Sequence, residues 1–326
     1  MTYSNAKQIE RLVQVSEMYY TQKYSQNQIS EKLHIHRTEI SRLLKKARQI
    51  GIVKITVAPP TSRINDDLAN FMCKNFNLGQ AIIVPTEENS DYQDDLESLS
   101  VYTNNLLNEF IKDNCVIGLS WGETIKKVIA NFFLSKKVKN VSIVPLIGSP
   151  MGKLEISCQA NHLVHQMCDK IPNSKLFSLD TPVFLNSEKF MHEILSTETN
   201  RNSVRLWEKV NIALVGIGSA KMVDNYNWRT FYKKEDGDEG IYKDSMVGDV
   251  LSQSFSIDGD EYREVYPNLV GASLSQLRKM NTVIGVAVGE SKAEAIFGGL
   301  RANLFDILVT TDKVAKQIKK IHLSQM

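Results

Sequence analysis

Five short apolar runs, each about as long as a strand, constrain this chain more than any other feature. They are CVIGL (115–119), VSIVPLI (141–147), NIALVGI (211–217), TVIGVAV (282–288) and DILVT (306–310), and AIIV (81–84) precedes them. Amphipathic stretches such as ETIKKVIANFF and KAEAIFGGLRANLF separate them. Strands apolar on both sides and spaced by helices predict a mostly parallel sheet covered by helices on both faces. The expected fold class is therefore α/β. A helix is expected over 64–78, and the acidic run from Glu87 to Glu97 reads as a solvated loop leading into a helix carrying Leu99, Tyr102, Leu106, Phe110 and Ile111.

The first 57 residues have a different texture. Ile9, Leu12, Val13, Met18 and Tyr20 recur at near-helical spacing, predicting a helix from about Asn5 to Tyr20. Ser25 and Gln28 have the spacing of a capping box at the start of a second helix that turns Ile29 and Leu33 inward. A third helix, from about His36 to Gln49, buries Ile40, Leu43 and Leu44 and stops at Gly51. IVKITV (52–57) alternates as a strand, and APPTS (58–62) reads as a linker. The domain organisation expected is 1–57, an all-α helix-turn-helix head; 58–62, linker; and 63–326, the larger body.

Net charge is only +2 over 326 residues. Residues 1–55 nevertheless hold 10 Lys and Arg against 4 Asp and Glu, and the remainder holds 29 against 33. A basic head on a mildly acidic body directs any polyanion to the head. With two short helices clamped by Ile29, Leu33, Ile40, Leu43 and Leu44, the front of the third helix is left free for a DNA major groove. His36, Arg37, Thr38, Ser41, Arg42 and Lys45 are the candidate base readers and phosphate contacts, with Arg37 and Arg42 suited to guanine. Ser25 and Gln26 are candidates to hold phosphate. One such module binds weakly, so a symmetric oligomer on double-stranded operator DNA is expected.

In the body, three strands end in small-residue turns: GLSWGET (118–124), IGSPMGK (147–153) and GIGSAK (216–221). Ligands of open α/β sheets lie beyond the carboxyl ends of strands, where helix N-termini favour anions. Ser120, Thr124 and Ser149 add hydroxyls, and Lys292 after its own strand adds a positive charge, so a phosphate or polyhydroxy compound is the expected guest. Lys221 stands where a dinucleotide fingerprint needs its third glycine, which excludes that cofactor motif. Cys158, His162, His165, Cys168 and Asp169 share a helical face and read as a core-facing stripe rather than a metal site. No cofactor or metal is expected. The four cysteines form no CxxC pair, and with neither a membrane-length apolar run nor an apolar leader the chain reads as a cytoplasmic protein with reduced thiols.

Taken in order, the helix-turn-helix segment, GLSWGETI, VPLIGSPMGKLE, ALVGIGS, NWRTFY, GDVLSQSFSIDG and GVAVGESKAEAIFGGLRANLFDILVTTDKVA resemble the SorC family of sugar-responsive transcriptional regulators. The resemblance covers nearly the whole chain. It implies a tetramer with a sugar-phosphate-isomerase-like effector domain binding a sugar or sugar phosphate, of sorbose or sorbitol type. By position it also implies that Gly118, Ser120, Trp121, Gly122 and Thr124 line one side, Gly148, Ser149, Gln159 and Asn161 another, and Asp258 and Lys292 close the site. Ile147 replaces the lysine that some relatives use for a Schiff base, and Ser149 replaces the loop's second glycine. The function expected is an effector-controlled regulator of a carbohydrate operon, not an enzyme. The alternative is an isomerase-like enzyme carrying a DNA-binding head, for which Asp258, Glu290 and Glu294 are the available carboxylates.

Overall fold

The computed structural model describes residues 3–53, 66–150, 154–219, 245–262 and 267–325, with side chains of the first helix described from Gln8 onward. The linker at 58–62, most of the strand expected at 52–57, Met151 to Lys153, Lys221 and NWRTFY lie outside the described residues. The chain divides into two compact units, Met1–Ala58 and Pro59–Met326.

In the first unit, α1 (Tyr3–Ser16) runs into a wider π turn (Glu17–Thr21), followed by α2 (Gln26–Leu33) and α3 (Arg37–Gln49). Ser25 starts α2 through a reciprocal capping box: Gln28 N donates to Ser25 Oγ at 3.3 Å and Ser25 N to Gln28 Oε1 at 2.8 Å. His34 ends that helix in the left-handed region at φ 52°. Ser30 Oγ donates to the Ile35 carbonyl at 2.6 Å and fixes the turn into α3. Gly51, at φ +79°, ends α3 where a side chain would be strained. Leu12, Val15, Met18, Ile29, Ile40, Leu43, Leu44 and Ala47 form the core. Ile9 and Val13, read from spacing as part of the apolar face of α1, are instead exposed.

The second unit begins α4 (Asp66–Asn75), β1 (Gln80–Val84), α5 (Tyr92–Phe110), β2 (Val116–Leu119), α6 (Glu123–Asn131), β3 (Ser142–Pro145), α7 (Ala160–Lys170) and β4 (Lys175–Leu176). It continues α8 (Glu188–Ser196), α9 (Glu198–Trp207), β5 (Ile212–Gly216), β6 (Gly218–Ser219), β7 (Met246–Val250) and β8 (Gln253–Ser256). It closes with α10 (Leu274–Leu277), β9 (Val283–Val286), α11 (Ala293–Arg301), β10 (Ile307–Thr311) and α12 (Asp312–Ser324). Seven strands form one parallel sheet in the order β1-β10-β9-β5-β2-β3-β4, and β6, β7 and β8 form a small antiparallel arm.

The alternating side chains of each strand explain why the runs are apolar throughout. Ala81, Ile83, Val116, Val144, Ala213, Val215, Val283 and Leu308 face a core built with α4, α9, α11 and α12. Ile82, Val84, Ile117, Ile143, Ile212, Leu214, Ile284 and Val309 face the opposite core, built with α5, α6 and α7. Burial on both faces is what a parallel sheet demands. The acidic run is only partly solvated: Asp91 caps α5, but Asp95 is buried, accepting from Ser90 Oγ at 2.5 Å and pairing with Lys313 Nζ at 3.4 Å.

The order of strands also locates a crevice. From β2 the chain moves outward to β3 and β4, whereas from β5 it moves the other way to β9 and β10. The connections leaving the carboxyl ends of β2 and β5 therefore run in opposite directions, and it is at such a reversal point that open α/β sheets take their ligands.

Candidate functional site

Within the first unit, Arg37, Thr38, Ser41, Arg42 and Lys45 are all exposed, at positions that repeat along one side of α3. The opposite side, Ile40, Leu43, Leu44 and Ala47, is buried. Two polar candidates have structural work as well. His36 is the N-cap of α3, its Nδ1 accepting from Thr38 N at 3.4 Å, which leaves only Nε2 to face outward. Ser25 accepts at the start of α2 and retains its hydroxyl proton for an acceptor; Gln26 beside it is half-buried. Lys46 is half-buried, and Arg48 Nε donates back to the Leu44 carbonyl at 3.5 Å.

In the second unit, the crevice is bordered by the turns after β2, β5 and β9. Gly122, at φ +118°, starts α6, and its N–H donates to the Cys158 carbonyl at 2.9 Å. Ser120 is buried; its Oγ accepts from Gly216 N at 3.0 Å and stitches the ends of β2 and β5 together. Trp121 is half-buried at the rim, and Thr124 is buried in the first turn of α6. Lys292 enters from the turn after β9, and only 7% of it is exposed. Burial pulls its ammonium below the usual lysine range, while Asp249 and Glu123 pull it back up.

Asp249, from β7, is the acidic counterpart. Burial pushes its carboxyl up to about 6, against the Ser252 N–H and the Lys292 charge, which favour the anion. Ser252 N donates to Asp249 Oδ2 at 3.1 Å, and the carboxylate lies so close over Gly218 that an added Cβ there would collide with Oδ1. Ser219 Oγ donates to the Ser291 carbonyl at 2.9 Å, tying the end of β6 to the Lys292 turn. Asp249, Ser219, Glu123 and Tyr92 were absent from the sequence-derived set. A single acid in the otherwise uncharged strand MVGDV was the available signal for Asp249.

Other expected residues turn out differently. Gly118 lies inside β2, where an added Cβ would come within 2.7 Å of Leu146 Cδ2, so its role is close packing rather than lining the crevice. Asp258 is misplaced in the expected set. It sits in the turn after β8, 3.7 Å from Arg301 at the end of α11, the end of that helix remote from Lys292. Gly148 N donates to the Val270 carbonyl and Ser149 N to the Thr181 carbonyl, so these amides are already committed and do not form an open anion cradle. Ser149 Oγ reaches Gln159 Oε1 at 3.4 Å, and Gln159, which starts α7, adjoins the Cys158 carbonyl that receives Gly122 N. Asn161 spends both ends of its amide on Leu179, at 3.0 and 3.2 Å. Of the carboxylates weighed for isomerisation, Glu290 accepts from Gln317 Nε2 at 2.8 Å. Among the described residues no group of His, Cys, Asp or Glu is placed to hold a metal; His162 pairs with Gln166 at 3.1 Å. No helix among them is long and apolar enough to cross a membrane.

The family described as "Putative sugar-binding domain" matches residues 63–319. The sorbitol operon regulator of Klebsiella pneumoniae is 28% identical over 317 residues, 97% of this chain and 99% of the relative. The deoxyribonucleoside regulator of Bacillus subtilis is 26% identical over 309 residues, 94% of this chain and 96% of the relative. Among solved structures, the full-length K. pneumoniae sorbitol operon regulator SorC aligns with a TM-score of 0.73 at 28% identity, covering 94% of this chain and 97% of that one. A transcriptional regulator from Streptococcus pneumoniae TIGR4 aligns with a TM-score of 0.71 at 25% identity, covering 80% of this chain and 97% of that one.

Proposed function

The chain belongs to the SorC family of sugar-binding transcriptional regulators, and from that premise we propose that its first unit reads operator DNA through a helix-turn-helix while the β2/β5 crevice binds the controlling sugar. Its relatives are named as regulators, and it is a regulator rather than an enzyme. The observation that carries the effector reading is Lys292, a buried lysine side chain beside the reversal point of a parallel sheet. A buried charge is costly unless something compensates it. Asp249 and Glu123 compensate part of that cost, and an anionic or polyhydroxy guest supplies the rest.

In this reading Lys292, Asp249, Thr124, Trp121 and Gly122 contact the effector. Ser120, Ser149, Gln159 and Asn161 hold the loops that shape the crevice. The names of the sorbitol and deoxyribonucleoside relatives favour a polyol or pentose compound, free or phosphorylated, and a sorbitol- or sorbose-type effector is the first choice. Arg37 and Arg42 read bases; Thr38, Ser41, Lys45, Ser25 and Gln26 hold phosphate. A symmetric tetramer supplies the paired heads a two-fold operator requires. The effector controls transcription by binding one arrangement of the protein better than another, and a coupling of about 1–3 kcal/mol shifts operator affinity about 5- to 150-fold.

The test is a thermal-shift screen of L-sorbose, D-sorbitol, deoxyribose and their phosphates, followed by operator binding with each compound that raises Tm. Lys292→Met should abolish the shift. If no compound changes either Tm or operator affinity, the effector reading fails.

A further inference from the structure

Tyr92 opens α5, directly after its Asp91 cap, yet its side chain reaches across to the turn after β9 and the start of α6. Its ring packs against Gly289 in the turn leading to Lys292: an added Cβ on that glycine would stand 3.6 Å from Tyr92 Cε2. Burial first, and then the nearby Glu123 carboxylate, push its phenol up to about 12, so it stays protonated, while the Thr124 side chain beside it favours the anion. Neighbouring Gln93 ties the same corner, with Nε2 donating to Glu123 Oε1 at 3.4 Å. Elements following β1, β2 and β9 thus meet at one aromatic ring on the border of the crevice.

We propose that Tyr92 determines which effector is accepted: its phenol walls the β9 side of the crevice and, beside Thr124, presents a hydroxyl to a hydroxyl of the bound polyol. The inference rests on the reading of that crevice as the effector site. A phenol and a threonine hydroxyl side by side offer a guest both donors and acceptors, because each carries one donor and can also accept. A site arranged to bond a substrate hydroxyl discriminates against the analogue lacking it far more strongly than an apolar wall can. Trp121 on the rim offers no equivalent, since an indole only donates.

The decisive measurement is calorimetric titration of full-length wild type and Tyr92→Phe with the tightest binder among L-sorbose, D-sorbitol and their phosphates, and with each monodeoxy analogue of that binder. Tyr92→Phe keeps the ring and should leave the Tm of the free protein unchanged; Tyr92→Leu keeps only apolar bulk and checks the ring. The expected result is a loss of about 3- to 10-fold in affinity of Tyr92→Phe for the parent compound, the worth of one hydrogen bond. For one deoxy analogue the same variant should show no loss. Equal effects on the parent and every analogue, or no effect on any, overturn the proposal while leaving the effector site intact. Absence of binding to wild type overturns the effector site and the role of Tyr92 with it.

Discussion

Asp249 and Lys292 give the crevice a pH signature. In the folded chain Asp249 holds its proton up to about 6, whereas an unfolded aspartate releases it near 3.9. Between those values the native state binds more protons than the unfolded one, so this residue's contribution to stability declines as pH rises through that window. Asp249→Asn removes the titration. The Tm of that variant should fall less than that of wild type between about pH 4 and about pH 7, as scanning calorimetry would record. A parallel fall in both proteins would mean that Asp249 ionises without cost and is not closed in by β6 and the Lys292 turn.

At the scale of elements, caps and close approaches carry the predictions. Ser25→Ala breaks the capping box of α2 and should destabilise the first unit by about 1 kcal/mol in denaturant titration. Gly118→Ala forces a methyl against Leu146 and should cost about 1–3 kcal/mol while leaving the affinity for sugar unchanged. The second half of that outcome separates packing from ligand contact. Elements were also what the sequence displayed best: the strand runs, the Ser25 box, the burial of Ile40, Leu43 and Leu44, and the Gly51 stop all follow from local pattern. The crevice was less legible, because its members come from separate elements. Tyr92 lies in an acidic stretch that looks merely solvated, and Asp249 comes from an arm outside the main sheet. Asp258 was misplaced because a position matched by resemblance does not say which end of a strand its turn occupies. Local pattern likewise could not show that the Gly148 and Ser149 amides are occupied by carbonyls contributed by distant segments.

For the whole molecule, the concentration of positive charge in residues 1–55 predicts steep salt dependence of operator binding. Arg37→Ala should relax discrimination between operator variants, at about 1–3 kcal/mol for the affected base pair, whereas Lys45→Ala should weaken binding to all of them nearly equally. Binding measured across a salt series on native and scrambled operators distinguishes the two. Fluorescence anisotropy that showed the same loss of discrimination for both variants would remove Arg37 from base reading.

The placement of Asp258 against Arg301, which took it out of the crevice, gives α11 a mechanical character. This helix leaves Lys292 beyond the carboxyl end of β9 and ends about 13 Å away at Arg301. There Gly259 packs so tightly on Arg301 and Ala302 that it has no room for a side chain. The β7–β8 arm runs alongside, with Asp249 near the first end of the helix and Asp258 at the second. Helix and arm pack closely, Gly248 against Ala295 and Gly298 against the Ser256 carbonyl, so filling the crevice should be felt at the far end of the pair. Hydrogen exchange at the Gly259 amide, which donates to the Ser256 carbonyl at 3.1 Å, is the gauge: saturating effector should slow it.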